Sequence, residues 1–208
     1  MNSEKQYIDL YRECRQQICD HSADALNAVR DAAFADFERM GFPSRKVERY
    51  KYTTIDSLFE PNYGLNINRI EVPVDPYKAF KCDVPNLSTS LYFIVNDQFR
   101  SALQPKENLP EGVVVTSLAE YAKENPEFVA KHYAQLAKTN EDAITALNTM
   151  LAQDGLLVYV KKNVIVDKTV QVINILRSNV ALMVNRRVLI VIEEGASAKI
   201  LISDQASD

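Results

Sequence analysis

The chain has 208 residues, 47% of them hydrophobic, which suffices for one large domain or two small ones with a real core and excludes a disordered chain. Its 24 basic and 28 acidic residues sum to a formal charge of -4 and are spread along the whole length, so no basic stripe is present to neutralise phosphates and a nucleic-acid partner is not expected. Residues 1–10 lack the layout of a signal peptide, no apolar run approaches the roughly 20 residues a membrane span needs, and an odd count of three cysteines suits reduced thiols, so the expected location is the cytoplasm.

From Glu4 to Asp20, the residues Tyr7, Leu10, Tyr11, Cys14 and Ile18 recur at steps of three and four, the pattern of a helix with one buried stripe. Ser22 is positioned to cap a second helix with the apolar face Leu26, Val29, Ala33 and Phe37, ended by Gly41 and Pro43, so a helical hairpin is expected. Residues 42–59 form an aromatic and basic stretch that reads as a structured connector. Prolines at 61, 73, 76 and 85 make residues 60–90 extended or looped, with short strands near Ile67–Val74 at most and no helix.

Leu91–Val95 and Val113–Thr116 are apolar runs that read as a small strand pair. Ser117 with Glu120 forms a capping box for a helix, Asn125-Pro126 restarts one, and Asn140–Ala152 continues helically with Ala143, Leu147 and Leu151 on one face and Gly155 closing it. Beyond Gly155 the character changes. Runs of Val, Ile and Leu at 156–160, 164–166, 170–176, 180–184, 188–192 and 198–202 start six to ten residues apart between polar breaks, the spacing of a sandwich, a barrel or a solenoid. Short strands, partial alternation and turns without Asn-Gly pairs favour stacked coils covered on more than one side. The strands are expected to stop at Ile202 with no polar cap following, so the chain reads as truncated. The domain division is 1–60 for the helical hairpin and connector, 61–153 for a mixed remainder, and 154–208 for the β region.

Candidate chemistry is sparse. Cys14 and Cys19 are roughly 140° apart on a helix, His21 and His132 lack partners at ligand spacing, and no metal site is expected. Gly41, Gly64, Gly112, Gly155 and Gly195 are isolated, so neither a phosphate-cradling loop nor a Gly-x-Ser-x-Gly elbow is present. Asp167, Glu193 and Glu194 fall at turns, where solvated carboxylates are ordinary, though they are also the acids a polysaccharide-active β-helix enzyme would use. The connector Arg45-Lys46-Val47-Glu48-Arg49-Tyr50-Lys51-Tyr52 either binds an anion or stacks its cations on its own tyrosines.

The connector also carries a family likeness. Gly41-Phe42-Pro43-Ser44-Arg45-Lys46, then Glu48 and Tyr50-Lys51-Tyr52-Thr53, with Leu109-Pro110-Glu111-Gly112-Val113, Ser117-Leu118-Ala119, Ala146-Leu147-Asn148-Thr149 and Asp154-Gly155-Leu156, resembles the SufD family of iron-sulfur cluster assembly scaffolds. The chain departs from that family's usual pattern at Tyr50, where tryptophan is the rule. The connector motif favours SufD over the related SufB. The resemblance implies an α+β fold, with an N-terminal helical domain followed by the start of a right-handed parallel β-helix. It implies a SufB-like sister subunit and a SufC-like ABC-type ATPase as partners, and an assembly associated with an iron-sulfur cluster, flavin and ATP, the last bound by the ATPase. The cluster-handling positions of the family lie late in the β-helix, so no catalytic, cofactor-binding or metal-binding residue is carried over. Pro43, Arg45, Lys46, Glu48, Tyr50, Lys51, Tyr52, Thr53, Asn148, Asp154 and Gly155 are expected to be structural. The expectation is therefore a scaffold and not an enzyme, with a self-contained, closed β-rich binding module as the alternative. An exposed β end is expected to pair the chain into a homodimer.

Overall fold

A computed structural model describes residues 3–79, 89–103 and 109–206. The chain is α+β: helices dominate the N-terminal part and two sheets the C-terminal part. The first helix, α1 (Ser3–Asp20), buries Tyr7, Tyr11 and Ile18, as the three-four spacing requires. The expected second helix is instead two, α2 (Asp24–Asn27) and α3 (Arg30–Met40), bent at Ala28–Val29. The bend lets one segment serve two cores: Leu26 packs with Leu118, Val129 and Tyr133, whereas Ala33 and Phe37 pack with Tyr7, Leu147 and Met150. Ser22 does not cap α2. Ala23 occupies that position, and the Ser22 hydroxyl donates to the carbonyl of Gln153 at 2.8 Å. Gly41, at φ +62°, terminates α3 by donating its N–H to the carbonyl of Phe37 at 2.8 Å.

The connector folds against the head through a 3-10 turn at Glu48–Tyr50 and the short α4 (Ile55–Leu58). Phe42 and Phe59 stack with centroids 4.7 Å apart, and Tyr7 meets both edge-on. The following stretch is coil without the short strands expected near Ile67–Val74, and a helical turn, α5 (Pro76–Ala79), forms where no helix was expected. Proline at the first position of that turn gives up an N–H that has no helical partner anyway. The expectation of coil over 60–90 and Cys82 extend into residues outside the described ones.

Strand β1 (Thr89–Val95) and β3 (Val113–Ser117) both form, yet they do not pair with each other. β1 makes a hairpin with β2 (Gln98–Phe99) and lies parallel to β5 (Thr169–Leu176), while β3 is antiparallel to β4 (Gly155–Val160). The two apolar runs belong to opposite walls of one core, in which Tyr92 and Ile94 meet Val115, Val158, Val160, Val170 and Val172. Helices α6 (Leu118–Glu124), α7 (Pro126–His132) and α8 (Ala143–Leu151) follow β3. Ser117 accepts from the Glu120 N–H at 3.1 Å, so half of the capping box is made; the Glu120 carboxylate accepts from Ser101 instead of closing the other half. Proline stands at the start of α7 as expected.

Gly155 opens β4 and does not close α8, which ends at Leu151 with Ala152 as its C-cap. After β4 the chain passes to β5, to β6 (Arg187–Ile192) and to β7 (Ile200–Ala206), alternating between two sheets of order β2-β1-β5-β7 and β3-β4-β6. The β4–β6 and β5–β7 pairings are parallel: Gly155 is opposite Arg187 and Val170 opposite Ile200. An antiparallel meander is thereby excluded. Parallel single bridges, Ile165 with Ser197 and Gly64 with Leu182, stand where the 164–166 and 180–184 runs read as strands. β7 begins at Ile200 and continues to Ala206, beyond the expected stop at Ile202. β5 is buried on both faces, its second face packing Ile173 and Ile175 with Phe93 and Val95, which accounts for its partial alternation. Among the described residues no helix is long and apolar enough to cross a membrane.

Candidate functional site

Some of the motif residues gather near the two ends of α8, Tyr50 at one and Asn148, Asp154 and Gly155 at the other. At its N-terminus, Asp142 caps the helix by accepting the Thr145 N–H at 2.8 Å. The other carboxylate oxygen accepts from the Tyr50 hydroxyl at 2.6 Å and the Arg49 guanidinium at 2.8 Å. Burial pushes the Asp142 carboxyl up, but the bonds from Tyr50, Thr145 and Arg49 together outweigh it and hold the group below the ordinary carboxylate value. Tyr50 thus ties the connector to α8 by a charge-assisted bond, a task its hydroxyl performs in a slot where the resemblance expects tryptophan. Pro43, Val47 and Met40 line an adjoining cavity of about 360 Å³ with Tyr50 and Arg49.

The rest of the connector motif does not converge there. Arg45 donates to the Thr54 hydroxyl at 3.0 Å, Lys51 lies 3.9 Å from Glu48 and 5.7 Å from the centre of the Tyr52 ring, and Tyr52 is 88% exposed. Lys46 is exposed, and the Thr53 N–H closes a turn onto the Tyr50 carbonyl at 2.9 Å. Of the connector's cations, Arg49 and Lys51 meet the chain's own carboxylates and tyrosine, while Arg45 meets a hydroxyl.

At the C-terminal end of α8, Asp154 is buried and accepts from the Ser117 hydroxyl at 2.8 Å and the Ala119 N–H at 3.0 Å, joining the start of α6 to that of β4. Its second oxygen pairs with Arg69 at 3.2 Å, and Arg69 also reaches Asp97 at 3.3 Å. Burial raises the Asp97 carboxyl, against the opposing pull of the Arg69 cation. Gly155 lies so close to β6 that a Cβ would sit 1.7 Å from the carbonyl oxygen of Arg187. Asn148 spans the same junction, donating to the Arg186 carbonyl and accepting from the Arg187 guanidinium, each at 3.3 Å.

A third anchor went unread in the sequence. Arg30 is fully buried and donates to Asn27 at 2.8 Å, to Ser22 at 2.9 Å and to the last carbonyls of α8, those of Thr149 and Met150, at 3.3 and 3.1 Å. Burial lowers its pKa, and a helix C-terminus is the place where a cation is best tolerated. Arg69, Asp97 and Asp142 were likewise missed. Of these only Asp142 had a signal, an Asp directly before the apolar face of a helix.

The remaining candidates stay separate. Cys14 and Cys19 are free and partly buried along α1; His21 is exposed after α1, and the ring of His132 lies 4.8 Å from that of Phe128. Among the described residues, no group of three His, Cys, Asp or Glu side chains is placed to hold a metal ion. Glu193 accepts from the Tyr159 hydroxyl and the Lys162 N–H, both at 2.8 Å, and these bonds lower its pKa; Glu194 pairs with Lys162, and Asp167 is exposed. The site is thus a set of interlocks, within the head at Asp142 and Arg30 and between head and sheets at Asn148 and Asp154.

The model of the SufBD protein N-terminal region matches residues 1–172. The chain belongs to the SufBD family. Among curated proteins, the SufBD chain is 26% identical over 202 residues to the iron-sulfur cluster assembly protein SufD of Bacillus subtilis (strain 168), covering 95% of this chain and 44% of that protein. The chain therefore spans under half the length of the curated relative it matches. The match to a SufD agrees with the preference for SufD over SufB drawn from the connector.

Proposed function

We propose that this SufBD chain is a scaffold in iron-sulfur cluster assembly and not an enzyme, and that β4–β7 are opening turns of a right-handed parallel β-helix. The observation that carries the reading is the open row at the outer edges of β6 and β7. Val188, Ile190 and Ile192 continue, in register, the row Leu156, Val158 and Val160, and Ile202 continues Val172. The inner members of these rows are buried, whereas Val188, Ile190, Ile192 and Ile202 are 39–45% exposed. An apolar row with free backbone N–H and C=O groups is a surface for a further strand. The interlock at the C-terminal end of α8 supports the same reading, because it joins the head to the sheets and leaves that edge clear.

In this reading the assembly contains a SufB-like sister subunit, paired through the β-helices, and a SufC-like ABC-type ATPase, in the cytoplasm. The cluster is cargo. In this reading cluster, flavin and ATP belong to the whole complex and its ATPase.

Deleting the gene tests the proposal. Loss of activity in iron-sulfur enzymes of the cell, restored by the gene in trans, is expected. Unchanged activity of those enzymes, or ATP hydrolysis by the purified protein alone, would sink it.

A further inference from the structure

Beside Asp97, the partner of Arg69, lies a small cavity of about 10 Å³, walled in part by the apolar side chains of Ile18, Leu65, Leu151 and Met183. Four polar residues also line it: Asn66, whose side-chain amide is paired with the backbone of Ile70, and three from distant parts of the chain, Asp97 in the β1–β2 turn, Gln153 between α8 and β4, and Asn185 ahead of β6. These last three carry the argument. All three are at least nine-tenths buried, at 8%, 3% and 9% exposure. Each has one atom without a hydrogen-bond partner among the described residues: Asp97 Oδ1, Gln153 Oε1 and Asn185 Nδ2.

Two of the three are held by a second partner. The Gln153 amide donates to the Ile67 carbonyl at 3.0 Å, which turns its oxygen the other way, and the second Asp97 oxygen is held by Arg69 at 3.3 Å. Buried polar groups that stay unpaired are costly, and three of them share this one cavity. A cavity of this volume has room for one water molecule, which needs two to four polar partners. The partners also balance, because two are acceptors and one is a donor.

We propose that the cavity is a specific site for one structural water, which donates to Asp97 Oδ1 and Gln153 Oε1 and accepts from Asn185 Nδ2. The water joins the β1–β2 turn, the end of α8 and the lead-in to β6, three segments that share no direct side-chain bond at this point. It also supplies the buried Asp97 carboxylate with a second donor beside Arg69. The competing occupant is a small monovalent cation, which would require the Asn185 amide to turn its oxygen inward.

The test is a high-resolution crystal structure of the protein grown with and without thallium(I). The expected result is one peak within hydrogen-bond distance of all three atoms, with no anomalous signal in thallium. An anomalous peak there would replace the water with a cation site, and an empty cavity or direct pairing among the three side chains would overturn the proposal. In solution, the Asn185 side-chain amide is expected to show a nuclear Overhauser effect to water that is lost in Gln153→Leu. A cross-peak that persists unchanged in a folded Gln153→Leu protein contradicts it.

Discussion

Arg30 carries a charge into the helical core and spends it on neutral partners, the carbonyls of Thr149 and Met150 and the hydroxyl of Ser22. Arg30→Met keeps the bulk and strands those acceptors, at about 1–3 kcal/mol for each buried group left unpaired. A lower urea midpoint with an unchanged slope is the expected reading. Asp142 provides a pH-dependent contribution. Its folded pKa lies below the ordinary value, so its stabilisation is present above that value and is lost as pH falls through the folded one. Asp142→Asn is therefore expected to lose stability at neutral pH and to flatten the acid limb of the stability–pH curve, with wild type and variant converging in acid. Tyr50→Phe removes one charge-assisted bond to the same carboxylate, and a loss of about 1–2 kcal/mol by chemical denaturation is expected.

Helices and strands were legible wherever a local pattern met a local cause. The stripe Tyr7, Tyr11, Ile18 reads directly as the buried face of α1, and Ser117 and Pro126 open their helices as their chemistry demands. Partnering was not legible. The bend between α2 and α3 follows from Leu26 and Phe37 belonging to different cores, and the separation of β1 from β3 follows from their lying on opposite walls of one core; neither fact is local. Asp154 and Gly155 stood out as motif residues, while Arg69, the partner of Asp154, sits at φ +54° in a coil with no periodicity to mark it. Gly155 was read as a helix stop, yet its role is contact between strands. Gly155→Ala forces a Cβ onto the backbone of Arg187, and because overpacking of this kind costs about 1–3 kcal/mol or more, melting at a clearly lower temperature is expected, with protection of the β4–β6 amides lost first.

At the scale of the whole molecule, the connector is tied to α8 at its N-terminus, the head is joined to the sheets near its C-terminal end, and the sheets present an apolar edge. An edge of this kind pairs with something. On its own the chain is expected to self-associate through β6 and β7, so light scattering should report a dimer that reverts to monomer when Ile190→Lys and Ile202→Lys charge the row. A monomer at high concentration without those changes would contradict the use of this edge. The central claim, that the protein is a scaffold held in an assembly, is tested most directly by tagging the gene product in its own cells and weighing what co-purifies. A SufB-like subunit and an ABC-type ATPase in stoichiometric amounts is the predicted result. Recovery of the tagged protein without either partner would contradict the account.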